Sequence, residues 1–368
     1  MSSAQQSRRR RVTLVGAGVI GRHHGQVLTQ LSDRLELVAV VDPHVERAQQ
    51  IVDSHGGRAY PSLVKTFAGT DVDIVVVCTP TGTHGQLAIE ALQAGKDVII
   101  EKPAEITVER TDEIIAAQQA AGRLVTVISQ HRFDPATEVT VAAIAAGELG
   151  RLTSGIASID WWRGQTYYDS GDWRGTRDLD GGGALMNQGV HTIDLLVATM
   201  GRPVEVFAYT GTLAHERIEV EDVAVGVVRF ESGALGVLHA TTAAYPGMSA
   251  RLQVHGDKGS VIIDSDVLSF IHRTSTETTA TERAYGKSDD DTINQVEDFP
   301  EASGASLSAG ADPGQLGSVA HRRQYENFLA ALDGDDELRV DLQTNRQAIA
   351  IITGVYESAR TGRPVRLT

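Results

Sequence analysis

From residue 11 to residue 129 the chain alternates short, almost uninterrupted apolar runs with stretches of helical spacing. The runs are Arg11–Val15, Leu35–Val41, Ile74–Cys78, Asp97–Ile100 and Arg123–Ser129. A strand that is apolar at nearly every position has to be covered on both faces, and strands alternating with helices at this spacing form a parallel, doubly wound sheet. Helices are expected up to about Leu31, then at Val45–Ser54, His84–Ala94 and Val108–Ala121, with a short element at Ser62–Phe67. Thr107 is a natural N-cap for the last of these helices, and Gly122 a natural stop. Residues 1–8 are expected to be a disordered tail. Arg8 to Arg11 and the apolar run behind them have the outline of an export signal, but Arg22-His23-His24 breaks the run and no cleavage site follows.

Between the first strand and first helix lies Gly16-Ala-Gly18-Val19-Ile20-Gly21. A tight turn needs the first glycine, close approach of a pyrophosphate to the backbone needs the second, and packing of helix on strand needs the third. The second apolar run ends in Asp42, 21 residues beyond Gly21, where a carboxylate would bind a ribose 2′-hydroxyl and repel a 2′-phosphate. NAD is therefore the expected cofactor, held by Gly16, Gly18, Val19, Ile20, Gly21 and Asp42. Asp42 can equally cap the helix that starts near Pro43.

Ligands of such sheets bind beyond the carboxyl ends of the strands. That rule singles out Thr79-Pro80-Thr-Gly-Thr-His84, Glu101-Lys102-Pro103 and Gln130-His131-Arg132. Of 33 basic residues only five are lysines, and one of these, Lys102, directly follows a buried strand on that edge. The single cysteine, Cys78, reads as a core residue at a strand end and forms neither a disulfide nor a thiolate zinc cluster. With 368 residues and 41% hydrophobic content, two domains are expected, meeting near residue 130. The net charge of −15 argues against a nucleic-acid partner, and no apolar run is long enough to span a bilayer. A reducing, cytoplasmic setting fits this composition.

The second domain, residues 131–368, begins with a helix over 137–147 and a strand at Leu152–Asp160. Trp161 to Asp180 then gathers Trp161, Trp162, Tyr167, Tyr168 and Trp173 with Arg163, Arg174 and Arg177. Aromatic faces suit the C–H faces of sugars, and guanidinium groups suit carboxylates, phosphates or sulfonates. The same residues can instead form a rigid corner, with the arginines paired to Asp169, Asp172, Asp178 and Asp180. Next, Gly181-Gly-Gly leads into a helix carrying Asn187, His191 and Asp194 at spacings that put them on one side. A histidine titrates near neutrality and can take the proton of a hydroxyl. Five β-rich runs between residues 204 and 263 read as an antiparallel meander. An open sheet of this kind has one face too many for a monomer. Residues 271–317 are poor in apolar residues and read as long loops, and helices Val319–Leu332 and Thr344–Thr361 close the second domain.

The ordered set Gly16-x-Gly18-x-x-Gly21, Glu101-Lys102-Pro103 and Gly181-Gly-Gly…His191-x-x-Asp194 resembles the Gfo/Idh/MocA family of NAD(P)-dependent sugar and polyol oxidoreductases. The resemblance implies a Rossmann domain followed by an α/β domain whose large, mostly antiparallel open sheet mediates homodimers or homotetramers. It also implies that Lys102 hydrogen-bonds the reacting hydroxyl, that His191 is the acid/base, and that Glu101, Thr79, Pro80 and His84 line the nicotinamide side. Arg132, Trp161, Arg163, Tyr167, Tyr168, Trp173, Arg174, Arg177, Asn187 and Asp194 are the candidate contacts for a small carbohydrate. Inositol dehydrogenase-like members often carry Asp where this chain has Asn187, and an amide cannot relay a proton. The Asn form is similar to members that oxidise C3 of substituted hexoses, including nucleotide-linked uronic acids. The expected function is thus oxidation of a ring hydroxyl, at C3, of a sugar or glycoside with an anionic substituent. Two alternatives stand beside it. One is an NAD-dependent glycosidase acting, for example, on sulfoquinovosides, with Tyr167 or Tyr168 as the C2 base; the other is a non-catalytic NAD-binding sensor.

Overall fold

A computed structural model of the chain describes residues 8–274, 294–304 and 318–368. Its contacts divide into two compact units, Met1–Ile128 with Leu316–Arg346, and Ser129–Gln315 with Gln347–Thr368.

The first unit holds β1 (Arg10–Val15), α1 (Val19–Gln30), β2 (Leu35–Val41), α2 (Val45–His55), β3 (Arg58–Tyr60), α3 (Leu63–Gly69), β4 (Ile74–Val77), α4 (His84–Gln93), β5 (Asp97–Ile100), α5 (Val108–Ala121) and β6 (Val125–Val127). All pairs in its sheet are parallel, in the order β3-β2-β1-β4-β5-β6. Strand order reverses between β1 and β4, the place where doubly wound sheets take their ligands. β4 and β5 are buried at every position, as their unbroken apolar runs require. The Thr107 side chain caps α5, and Gly122 ends it in the left-handed conformation.

The second unit holds α6 (Pro135–Ala145), β7 (Leu152–Asp160), α7 (Gln165–Tyr168), α8 (Val190–Met200), β8 (Pro203–Gly211), β9 (Val223–Phe230), β10 (Leu235–Thr241), β11 (Ala250–Gly256), β12 (Ser260–Asp264) and β13 (Val267–His272). Of the elements closing the chain, α9 (Ser318–Asp333) lies in the first unit, α10 (Leu342–Thr361) begins there and runs into the second, and β14 (Val365–Arg366) completes the second sheet. That sheet has the order β13-β12-β11-β7-β10-β9-β8-β14.

Three expectations need correction. The meander is split: β8-β9-β10 and β11-β12-β13 are antiparallel runs as expected, but β7 inserts between β11 and β10, antiparallel to the first and parallel to the second. β7 alternates in burial, and Gly155 on its covered face lets α8 approach, since a Cβ there would sit 2.7 Å from Leu196 Cδ1. Second, the helix expected at 319–332 does not belong with the second domain. Tyr325, Phe328 and Leu329 of α9 share one face and are buried in the first unit's core with Leu14, Leu28 and Ile99. Truncating Phe328 to alanine is expected to cost about 3–5 kcal/mol. Third, the 271–317 stretch contains the end of β13 and a 3-10 turn at Val296–Asp298, while 275–293 and 305–317 lie outside the described residues, as does the tail at 1–7. Among the described residues no helix is long and apolar enough to cross a membrane.

Candidate functional site

The glycine turn separates three roles. Gly16 has φ +100°, and Gly21 packs so closely that a Cβ would lie 2.1 Å from the Gly16 carbonyl oxygen. At Gly18, which opens α1, a Cβ would meet nothing within 4 Å. The glycine there serves the space in front of the helix rather than the packing behind it. The N-terminus of α1 has no side-chain cap and no acidic residue in its first turn, so its dipole and N–H groups face that space. Asp42 is buried, one oxygen accepting from the Ala17 N–H at 3.0 Å and the other from the His44 N–H at 2.8 Å. Asp42 therefore ties the glycine turn to the residue just before α2, where it accepts from the His44 N–H without capping the helix itself. These residues fit NAD: Gly18 and the first turn of α1 would hold the pyrophosphate, and Asp42 the ribose.

The turns after β4 and β5 are tied together from inside. His84 is buried, with Nδ1 2.8 Å from the Pro103 carbonyl oxygen and Nε2 2.8 Å from that of Thr79. Burial lowers its pKa although both carbonyl contacts favour the cation; burial prevails, and the neutral ring donates through one nitrogen. His84 thus braces the two loops rather than facing a ligand. Glu101 also points inward. One oxygen lies 2.9 Å from His24 Nε2 and the other accepts from the Lys102 N–H at 3.0 Å, while His24 Nδ1 lies 2.8 Å from the Tyr325 hydroxyl. Burial opposes charge on Glu101, but the His24 hydrogen bond and charge override it and bring the pKa down to about 2. Burial likewise opposes charge on His24, and the Cys78 sulfur and Glu101 carboxylate override it, raising its pKa to about 10. A buried ion pair from α1 thereby pins the backbone of Lys102, and the Lys102–Pro103 peptide is cis.

In the second unit, the triple glycine is explained by close packing. A Cβ on Gly182 would lie 2.1 Å from the Tyr356 hydroxyl, and one on Gly183 1.7 Å from the Glu221 carbonyl oxygen. The Glu221 side chain is buried, accepting from the N–H groups of Gly183 and Leu185 at 2.9 and 2.8 Å and from the Tyr356 hydroxyl at 3.1 Å. Burial pushes its pKa up to about 7 in spite of these donors. Ala184–Gly189 is a π-helical turn, and α-helical geometry begins only at Val190. The i,i+4 pairing expected for Asn187 and His191 therefore does not apply; the Asn187 amide donates to Asp180 at 2.6 Å. Asp194 likewise does not support His191. It takes a two-pronged ion pair from Arg132, both contacts at 2.6 Å. The His191 ring meets the His131 ring edge to face at 5.1 Å, and His131 Nδ1 lies 2.8 Å from Asp134 and 3.0 Å from Asp266.

The aromatic segment is a stacked array. Arg163 lies over Trp161 and Tyr167, at 5.2 and 5.5 Å from the ring centres, and Arg174 over Tyr167 and Trp173, at 4.3 and 4.5 Å. Arg163 is buried and donates to the Trp162 carbonyl and the Gln188 side-chain oxygen, while Gln188 donates to the Tyr167 hydroxyl. Arg177 is exposed, its Nε donating to the Glu219 carbonyl. Of the local acids, Asp169 bonds Arg217, and Asp180 accepts from the Gly175 N–H and the Asn187 amide. Tyr168 is a core residue whose hydroxyl lies 2.8 Å from that of Thr242. Burial raises the pKa of Tyr167 and of Tyr168, which makes either a poor base at neutral pH.

Residues 10–129 match the model described as oxidoreductase family, NAD-binding Rossmann fold, and residues 139–262 match that of the GFO/IDH/MocA C-terminal domain. The chain is 30% identical to myo-inositol 2-dehydrogenase of Thermotoga maritima over 268 residues, 69% of this chain and 75% of that one. The chain belongs to the Gfo/Idh/MocA family. It is an NAD-binding oxidoreductase of the sugar and polyol dehydrogenase type. Among solved structures it is similar to the WlbA dehydrogenase of Bordetella pertussis in complex with NADH and UDP-GlcNAcA, at 32% identity, with a TM-score of 0.85 and 99% of each chain covered. The fold also matches levoglucosan dehydrogenase, at 20% identity, with a TM-score of 0.81 and 98% and 99% of the chains covered.

Within this Gfo/Idh/MocA chain, sequence reasoning singled out His131 but missed its partners Asp134 and Asp266, and missed His24, Gln188 and Glu221. Asp134 is only three residues from His131, whereas His24, Gln188, Glu221 and Asp266 act through partners distant in sequence, which leave no local pattern. The one available signal was for Glu221: an acidic pair, Glu221-Asp222, immediately before a strand whose only charged residue is Arg229.

Proposed function

We propose that this chain is an NAD-dependent dehydrogenase that oxidises a ring hydroxyl, at C3, of a sugar or glycoside carrying an anionic substituent. The observation that carries the reading is Lys102 itself. It follows β5 on the ligand-binding edge of the sheet, its backbone held by Glu101 and, through Glu101, by the buried His24. An ammonium group there stabilises negative charge developing on a hydroxyl oxygen. His191 at the start of α8 takes the hydroxyl proton, while the carbon–hydrogen bond breaks and a ketone forms. When bound, NAD supplies the acceptor for the hydride. Asn187 holds Asp180 and takes no part in proton transfer.

The substrate class follows the UDP-GlcNAcA of the WlbA complex, and the stacked arginines support it. The protein is further proposed to assemble as a homodimer or homotetramer through its second sheet. Tyr209, Val225, Val227, Leu235 and Val237 leave one face of β8, β9 and β10 apolar and exposed.

The test incubates purified protein with NAD and a panel of free sugars and aryl glycosides, neutral and anionic, following NADH and released phenol together. Net NADH from an anionic sugar is expected. Phenol release that requires NAD without accumulating NADH would replace the dehydrogenase with a glycosidase.

A further inference from the structure

Trp161, Arg163, Tyr167, Arg174 and Trp173 form a ladder in which rings and guanidinium groups alternate, and its two arginines are not equivalent. Arg163 is buried and donates to protein acceptors. Arg174 is half-buried, its guanidinium carbon lying over both the Tyr167 and the Trp173 rings, 4.3 and 4.5 Å from their centres. Among the described residues it makes no side-chain hydrogen bond and no ion pair. Stacking covers the faces of a guanidinium and leaves its in-plane N–H rim, a planar fork that matches an oxoanion. The ladder also fixes the fork before any ligand arrives, which lowers the ordering cost of binding. Tyr167 connects this rim, through Gln188, to the π-helical turn that leads into His191.

We propose that Arg174 is the specificity-determining residue for an oxoanion on the sugar ring, a carboxylate, and that Arg163 and Arg177 are not. This rests on the sugar dehydrogenase reading above. A ring carboxylate and a nucleotide diphosphate share the same chemistry, and the experiment separates them.

Binding of aryl hexuronides, their matching neutral aryl hexosides, and UDP is measured by calorimetry on the NADH-loaded protein, for wild type, R174Q, R174K and R177Q. Wild type is expected to prefer the hexuronide. R174Q is expected to weaken that ligand by about 30-fold or more, and the neutral hexoside far less. R174K should recover only part of the preference, because it keeps the charge without the planar fork, and R177Q should shift the preference less than about threefold. UDP affinity should follow wild type in R174Q. Absence of a hexuronide preference in wild type, equal losses for both sugars in R174Q, or loss of UDP binding instead would each overturn the assignment. A wild type that binds hexuronides through Arg174 yet forms no NADH would sink the dehydrogenase reading and leave Arg174 in its role.

Discussion

Around Gly16–Gly21 the backbone does the positioning, whereas around His191 side chains do. The first region needs a turn, two close approaches and a bare helix end, all encoded within six consecutive residues. The second needs Glu221 to cap the π-helical turn, Asp180 to hold Asn187, and Gln188 to join Arg163 to Tyr167. Lys102 belongs to both kinds, since its strand end is local but its anchor comes from His24, 78 residues earlier. Backbone-built sites are legible in one sequence; side-chain-built ones depend on partners that only folding brings together.

The largest expected effect tests Lys102. K102A should lower turnover by about 10²–10⁴-fold while NAD affinity, proposed to rest on the glycine turn and Asp42, stays near wild type; normal turnover in steady-state NADH assays refutes its role. Next comes the brace beneath it. H24A leaves Glu101 buried without its cation and should destabilise the first unit by about 3–5 kcal/mol, read as a lower denaturant midpoint. Y325F removes one hydrogen bond from the same group and should cost about 1 kcal/mol.

The glycine turn can be taken apart by two substitutions with opposite outcomes. G21A forces a Cβ against the Gly16 carbonyl and should destabilise by about 1–3 kcal/mol or more. G18A has room, and its φ of −76° suits alanine, so the fold should persist while NAD affinity falls. Equal stability of the two variants would mean that the three glycines do not divide their roles as described.

This contrast also explains what could be read beforehand. The parallel sheet, the roles of the glycines and the Lys102 edge follow from apolar runs and short spacings, which are properties of neighbouring residues. The insertion of β7 between β10 and β11 left no such trace, because any apolar period-2 strand fits either position in an open sheet. A spacing of 3.6 residues per turn puts Asn187, His191 and Asp194 on one helical side; the π-helical turn at Ala184–Gly189 breaks that premise for Asn187, while His191 and Asp194 stay one turn apart in α8. The motif spacing gives Arg132 and Asp194 as separate candidate contacts, and their ion pair with each other, 62 residues apart, leaves no trace in the sequence.

A pH-dependent effect concerns Glu221. Folded chains hold a proton there up to about pH 7, whereas an unfolded chain releases it near its ordinary value of 4.5. Between those values the folded state binds more protons, so wild-type stability falls as pH rises, relative to E221Q. The difference in Tm between the two proteins should shift from about pH 5 to about pH 7 and then level off; a constant difference would mean that Glu221 stays ionised throughout.

On the proposed function, a hydride leaves a sugar carbon for the bound nicotinamide. The most direct measurement uses a hexuronide deuterated at C3, with mass spectrometry of the reduced cofactor and the sugar product. Deuterium in the NADH and a ketone at C3 is the predicted result, and unlabelled NADH, or an unoxidised sugar, would contradict it.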